Sequence, residues 1–177
     1  TYQKKIVHIL KTAQTSDIND KTKLIIDAVL KTSGTLITGS AVVDFNLYDI
    51  NKEKIYLSDF HGEFVYLSFF KKESYPCQKD QILLESLHKK NIDKLKIVTV
   101  YVDQDHRNII NLANEKKFER TILHCYENDD VLQDYKIIAY PTYYLIHPNG
   151  TLAMIPAPGP AEDFEAAYYK AYQEYNR

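Results

Sequence analysis

The chain has 177 residues, 45% of them hydrophobic and 26% charged, and carries a formal net charge of -2. That length can bury a real core, and the composition is that of a globular rather than a disordered protein. The near-neutral charge excludes the electrostatic footprint of a nucleic-acid binder and a polybasic membrane patch, and no apolar run approaches a membrane span.

Residues 1–34 read as a helical extension or the tail of an upstream domain, and residues 35–177 as the main domain. Ile6, Ile9 and Leu10, then Leu24, Ile25, Ala28 and Val29, recur at helical spacings. Ser16-Asp17 or Asn19-Asp20 supplies a break and N-cap between two helices, and Gly34 a C-terminal stop. The chain opens at Thr1 without the basic-then-apolar start of a signal peptide, so a processed protein or a piece of a larger one is expected.

From Gly39 strands take over. Residues 42–48 and 55–57 flank a polar connection, a hairpin pattern. The run Phe64-Val65-Tyr66-Leu67-Ser68-Phe69-Phe70 is apolar almost throughout, which predicts a strand buried on both faces. A loop and an amphipathic helix over residues 78–90 follow, then a second buried strand within 95–102, parallel to the first. Residues 108–118 and 129–135 read as helices, with a short strand at 122–126 between them. Tyr143-Tyr144-Leu145-Ile146, Pro148-Asn149-Gly150 and Leu152-Ala153-Met154-Ile155 read as strand, tight turn and strand. Residues 161–175 close the chain as a helix with Phe164, Tyr168 and Tyr172 four apart. The main element order, β-β-β-α-β-α-α-β-β-α, predicts an α/β fold with a central mixed β-sheet flanked by helices.

The chemistry concentrates after the first buried strand, in Glu73-Ser74-Tyr75-Pro76-Cys77-Gln78-Lys79-Asp80. A cysteine in the first turn of a helix sits where the helix terminus favours a thiolate. These elements, with Tyr140-Pro141-Thr142 before the terminal hairpin, resemble the thioredoxin superfamily, in its TlpA/ResA-like thiol–disulfide oxidoreductase branch grouped with the AhpC/TSA family. Gly39 with Asp44-Phe45-Asn46-Leu47, the turn Leu57-Ser58-Asp59-Phe60-His61-Gly62, and Asn149-Gly150 carry further parts of the resemblance, which spans residues 39–177. It implies a thioredoxin-like fold, a cis Tyr140–Pro141 bond facing the active-site loop, and a Trp-Cys-x-Pro-Cys motif where this chain has Glu73 and Ser74-Tyr75-Pro76-Cys77. It also implies a proton-transfer role for Asp80, substrate contacts from Tyr75, Pro76, Tyr140, Pro141 and Thr142, and protein thiols, disulfides or an extended peptide as partners. An extracytoplasmic location, periplasmic in a bacterium, is implied in the same way.

Ser74 stands where the family's attacking thiolate belongs. A hydroxyl is not ionised near neutral pH and cannot enter a disulfide, so full dithiol exchange is lost. Cys77 takes the resolving position, where burial raises a thiol pKa; even an unshifted thiol at about 8.5 is only about 3% thiolate at pH 7. Cys125 reads as a core cysteine, and pairing it with Cys77 would require Cα atoms within about 7 Å. His124 and Cys125 are adjacent on a strand and point to opposite faces, so no metal site follows, and nothing in the sequence asks for a cofactor.

The leading expectation is a thiol–disulfide oxidoreductase serving cell redox homeostasis, impaired or trapped at Ser74. An alternative is a redox-inert peptide-binding module using the groove beside Pro141. A third reading, a peroxidase, rests on the formal Ser-x-x-Cys match and lacks both the proline expected at Phe70 and an activating arginine in the loop.

Overall fold

The computed structural model of the protein describes residues 36–90, 92 and 94–177, together with Asn19, Lys21 and Thr22. Apart from those three residues, the helical extension expected over residues 1–34 lies outside the described part. Asn19 Oδ1 accepts from the Thr22 amide at 2.9 Å, the bond of a helix N-cap. Ile37–Arg177 makes up a compact unit.

Its elements run β1 (Asn46–Asp49), β2 (Lys54–Tyr56), a 3₁₀ turn (Leu57–Phe60), β3 (Phe64–Phe70), α1 (Tyr75–Lys89), β4 (Leu95–Val102), α2 (His106–Lys116), β5 (Thr121–Cys125), α3 (Asp130–Asp134), β6 (Thr142–Ile146), β7 (Leu152–Met154) and α4 (Phe164–Tyr175). The sheet order is β2-β1-β5-β4-β3-β6-β7. All seven residues of β3 are buried, because the strand lies between parallel β4 and antiparallel β6 with both faces covered. Phe64, Tyr66 and Phe70 join Leu84 of α1, Ile109 of α2 and Phe164 of α4 in one core. The alternate residue Phe69 points the other way, onto Tyr135 and Tyr144.

Two expectations need correcting. The first strand begins at Asn46, not at residue 42: Val42 donates instead to the Gly150 carbonyl at 2.9 Å and Ala41 bridges Thr151, so this apolar stretch braces the terminal hairpin. The short strand expected at 122–126 is present as β5, parallel to β4, and the element order is corrected only by placing this β between α2 and α3. The β1–β2 hairpin closes because Asp49 Oδ1 accepts from both the Asn51 and Glu53 amides, each at 2.8 Å, with Lys52 left-handed at φ 65°. At the β6–β7 turn, Gly150 has φ +76°, a conformation that favours glycine, and a Cβ there would have to displace the His61 ring, 2.8 Å away.

This architecture aims one end of the sheet at the loop of interest. β3 ends at Phe70, α1 starts five residues later, and β6 starts at Thr142, so the α1 N-terminus and the segment before β6 converge beside the same strand. Farther along α1, Glu85 pairs with Arg120 at 2.8 Å. Arg120 Nε donates to Thr99 Oγ1 at 3.1 Å, and Ser68 Oγ donates to the same hydroxyl oxygen at 3.0 Å. This buried polar chain pins the third turn of α1 to the middle of the sheet.

Candidate active site

Helix α1 begins earlier than the sequence pattern suggests. Pro76 fits the first turn, where its missing N–H would have no helical partner and its fixed φ is helical. Ser74 is therefore the N-cap residue, with φ −73° and ψ 117°. Its hydroxyl does not cap the helix. It donates to the Tyr140 carbonyl at 3.4 Å, immediately before Pro141, and Tyr140–Pro141 is cis. The first position of the motif thus touches the segment before β6 directly.

Cys77 lies in the first turn of α1 and is 1% exposed. Burial pushes its thiol up, and the carboxylate of Asp80, one turn on, pushes the same way. Hydrogen bonding with the Ser74 hydroxyl and with the backbone at Lys71 and at Cys77 itself pulls it part of the way back. Desolvation outweighs the helix terminus here, contrary to the simple expectation that a cysteine at a helix start is activated. Ser74 Oγ stands between the Tyr140 carbonyl and the Cys77 thiol.

Asp80 accepts from the Tyr143 hydroxyl at 2.6 Å. Burial and this carboxylate hold the Tyr143 phenol well above the ordinary tyrosine range, so it remains a donor. Tyr143 is a site residue that the sequence reading missed. The signal was available, because Tyr143 follows Pro141-Thr142 by strand alternation and so returns toward α1. Tyr101, pushed up to about 12 by burial, donates to Gln81 Oε1 at 3.2 Å and closes the floor behind Cys77.

The remaining predicted residues divide between the floor and the rim. Thr142 donates to the Ala139 carbonyl at 2.7 Å and shapes the turn into β6. Tyr140 is half-buried, with the Lys71 ammonium 5.4 Å from its ring centroid, and Lys71 pairs with Glu127 at 2.6 Å. Tyr75 is 66% exposed and lies under Lys79, 4.9 Å from the ring centroid. A groove of about 450 Å³ opens between these elements, lined by Pro76, Asp80, Pro141, Tyr143, Ala157 and Glu162 among others. The elements thus bring Ser74, Cys77, Asp80, Tyr140 and Pro141 to one place, with Pro76 and Thr142 on the groove wall and Tyr75 turned out to solvent. Cys125 is fully buried at the end of β5, and its thiol donates to the Tyr126 carbonyl at 3.2 Å. Among the described residues, no group of three His, Cys, Asp or Glu side chains is placed to hold a metal.

Chemically, such a site can seat an extended chain against the backbone at Pro141 and present one buried thiol beneath it. The hydroxyl at position 74 occupies the more accessible position over that thiol.

Comparison with known proteins agrees with this geometry. Residues 38–155 match the AhpC/TSA family. The chain is 27% identical over 117 residues to the thioredoxin-like protein YneN of Bacillus subtilis, covering 64% of this chain and 68% of that one. It is 30% identical over 122 residues to the thiol-disulfide oxidoreductase ResA of Oceanobacillus iheyensis, covering 66% of this chain and 63% of the relative. Among solved structures, the thioredoxin domain of a thiol-disulfide oxidoreductase from Bacteroides vulgatus superposes with a TM-score of 0.64 at 22% identity, covering 80% of this chain and 99% of that one.

Proposed function

This chain belongs to the AhpC/TSA family, as a TlpA/ResA-like member of the thioredoxin superfamily, and on that premise we propose that it is a thiol–disulfide oxidoreductase arrested at its first step by Ser74. In the dithiol reaction a thiolate at the first position attacks a substrate disulfide. One S–S bond breaks as a mixed disulfide forms, and the second thiol then resolves it. Here Cys77 and the groove remain for the second step, while the atom that would begin the first is an oxygen. The observation that supports this reading is the hydrogen bond from Ser74 Oγ to the Tyr140 carbonyl, which ties position 74, three residues before Cys77, to the residue before Pro141 of the groove wall.

Asp80, hydrogen-bonded through Tyr143, is assigned the proton transfer to and from the Cys77 thiol. Protein thiols and disulfides are its assigned partners. An extracytoplasmic setting is part of the same proposal; among the described residues no helix is long and apolar enough to cross a membrane. A peroxidase is disfavoured, because a peroxide-attacking thiol needs a lowered pKa and access, and Cys77 is buried with its pKa raised. The second reading, a peptide-binding module without redox turnover, is favoured by the groove itself.

The test is turnover. With a chemical reductant and insulin as substrate, Ser74→Cys should exceed the parent chain by on the order of 100-fold, because a thiolate replaces an un-ionised hydroxyl. A folded Ser74→Cys protein that stays at the parent's rate would overturn the oxidoreductase proposal in favour of the binding module.

A further inference from the structure

The groove beside position 74 has an electrostatic signature that the catalytic reading does not use. Its charged lining consists of Asp80, on the first turns of α1, and Glu162, on the segment leading into α4. The rest of its wall is proline, alanine, glycine, Thr142 and Tyr143. Both carboxylates are fixed from outside the groove's open space. Asp80 Oδ2 accepts from Tyr143 at 2.6 Å, and Glu162 Oε2 accepts from the Gly159 amide at 2.9 Å. Among the described residues these bonds occupy one oxygen of each carboxylate. The two side chains also act on a common point: burial first, and then both carboxylates, push up the phenol of Tyr66, whose hydroxyl donates to the Pro158 carbonyl at 2.6 Å.

The cations nearby are committed elsewhere. Lys71 pairs with Glu127, Lys79 lies over the Tyr75 ring and Lys90 pairs with Glu165. None of them lines the groove.

We infer that this groove selects substrates by charge, favouring an extended segment that places a lysine or arginine beside its disulfide, with Glu162 as the specificity-determining residue. The inference rests on the proposed oxidoreductase reading of the same site. Apolar walls accept the aliphatic stem of such a side chain, while the two anchored carboxylates meet its charged end. An acidic substrate would bring like charge into the same groove.

Ser74→Cys makes the selection measurable with three small disulfides: cystamine, a dication; bis(2-hydroxyethyl) disulfide, neutral; and 3,3′-dithiodipropionate, a dianion. Each exchange breaks one S–S bond, forms one and releases one thiol, so no further oxidant or reductant enters. Every rate is divided by the rate of the same disulfide with free 1-thioglycerol, a neutral thiol distinct from all three leaving groups, which removes intrinsic differences in leaving group. At low salt the normalised rate for cystamine should exceed that for the dianion by about tenfold, with the neutral disulfide between them. Salt at about 0.5 M should collapse the ratio. Glu162→Gln should reduce the cation-to-anion ratio by about threefold, read as a ratio within one variant so that a general loss of activity cancels.

Equal normalised rates for the three disulfides, or a ratio that Glu162→Gln does not move, would overturn the charge inference and leave the oxidoreductase reading standing. An introduced thiol inert toward all three would instead sink the oxidoreductase reading. The charge inference is then decided on the unmodified chain by fluorescence anisotropy of a lysine-bearing peptide and its glutamate counterpart, where equal affinities would overturn it.

Discussion

Cys77 and Cys125 are the same residue at nearly the same burial, 1% and 0% exposed, yet their surroundings give them opposite uses. Burial pushes both thiols up. Around Cys77, hydrogen bonding with Ser74 and the backbone at Lys71 offsets part of that rise. Around Cys125, Asp129 adds to it, and the thiol is spent as a donor to the Tyr126 carbonyl. Desolvation fixes the starting point for any buried thiol; the groups that meet the sulfur decide whether a thiolate can ever be held there. Both cysteines are buried in the core, and on the proposed reading only Cys77, bonded toward the Ser74 loop, has surroundings that can hold a thiolate.

Alkylation of the native protein at pH 8 gives the largest expected contrast and the quickest way to break it. Cys77 should react on the order of tenfold faster than Cys125 or more, and the two should become equal in denaturant. Because its folded pKa is raised, the Cys77 rate should keep climbing as pH rises beyond the ordinary thiol value of about 8.5. Equal native rates would erase the distinction drawn here, and a midpoint below 8.5 would show the helix terminus defeating burial.

The burial of Cys77 depends on α1 lying flat on the sheet, which Glu85 and Arg120 enforce. The side chain of Arg120 is 0% exposed and that of Glu85 13% exposed. Arg120→Leu should therefore cost about 3–5 kcal/mol in urea unfolding, because it strands the Glu85 carboxylate in a dry site. It should also speed Cys77 alkylation as α1 loosens. A loss below about 1 kcal/mol with unchanged alkylation would mean the pair does not hold the helix.

The Cys125 side has a smaller, pH-dependent handle. His124, its neighbour in β5, faces the opposite way and stacks on His106 with ring centroids 4.8 Å apart, its Nε2 donating to the Asp103 carbonyl at 3.0 Å. Burial first, and His106 beside it, hold the His124 pKa below its ordinary value; burial does the same to His147. An unfolded histidine takes up a proton near pH 6.5, before the folded one does. Stability should thus be full above about pH 6.5 and fall as pH drops toward the lower folded values. His124→Gln should flatten part of that slope between pH 7 and 5 in urea midpoints, while leaving Cys77 alkylation alone. An unchanged slope would remove His124 from the account.

Much of this frame is legible in the chain because it depends on local pattern. The seven apolar positions of β3 admit few placements other than a doubly covered strand, and the spacing from Pro76-Cys77 to Pro141 carries the family. What escaped is long-range or ambiguous. Glu85 and Arg120 read as surface charges until the fold brings them together across 35 positions. Tyr143 looks like one more strand aromatic until Asp80 is known to face it. Residues 42–45 read like a strand, but Val42 bonds to the β6–β7 turn, the Val43 carbonyl accepts from Tyr135 and Asp44 accepts from Ser58, and no local signal encodes those partners. The helix start at Tyr75 shifts because proline is tolerated in a first turn, whereas the apolar period becomes visible only from Gln81.

The central claim is that position 74 is the vacant nucleophile position of a dithiol site otherwise in place. Its most direct measurement is the intact mass of Ser74→Cys after mild oxidation and again after reduction. The oxidised protein should be lighter by two hydrogens, with peptide mapping joining the introduced thiol to Cys77 and leaving Cys125 free. A folded variant in which both thiols stay reduced, or in which the introduced thiol pairs between molecules, would contradict the claim.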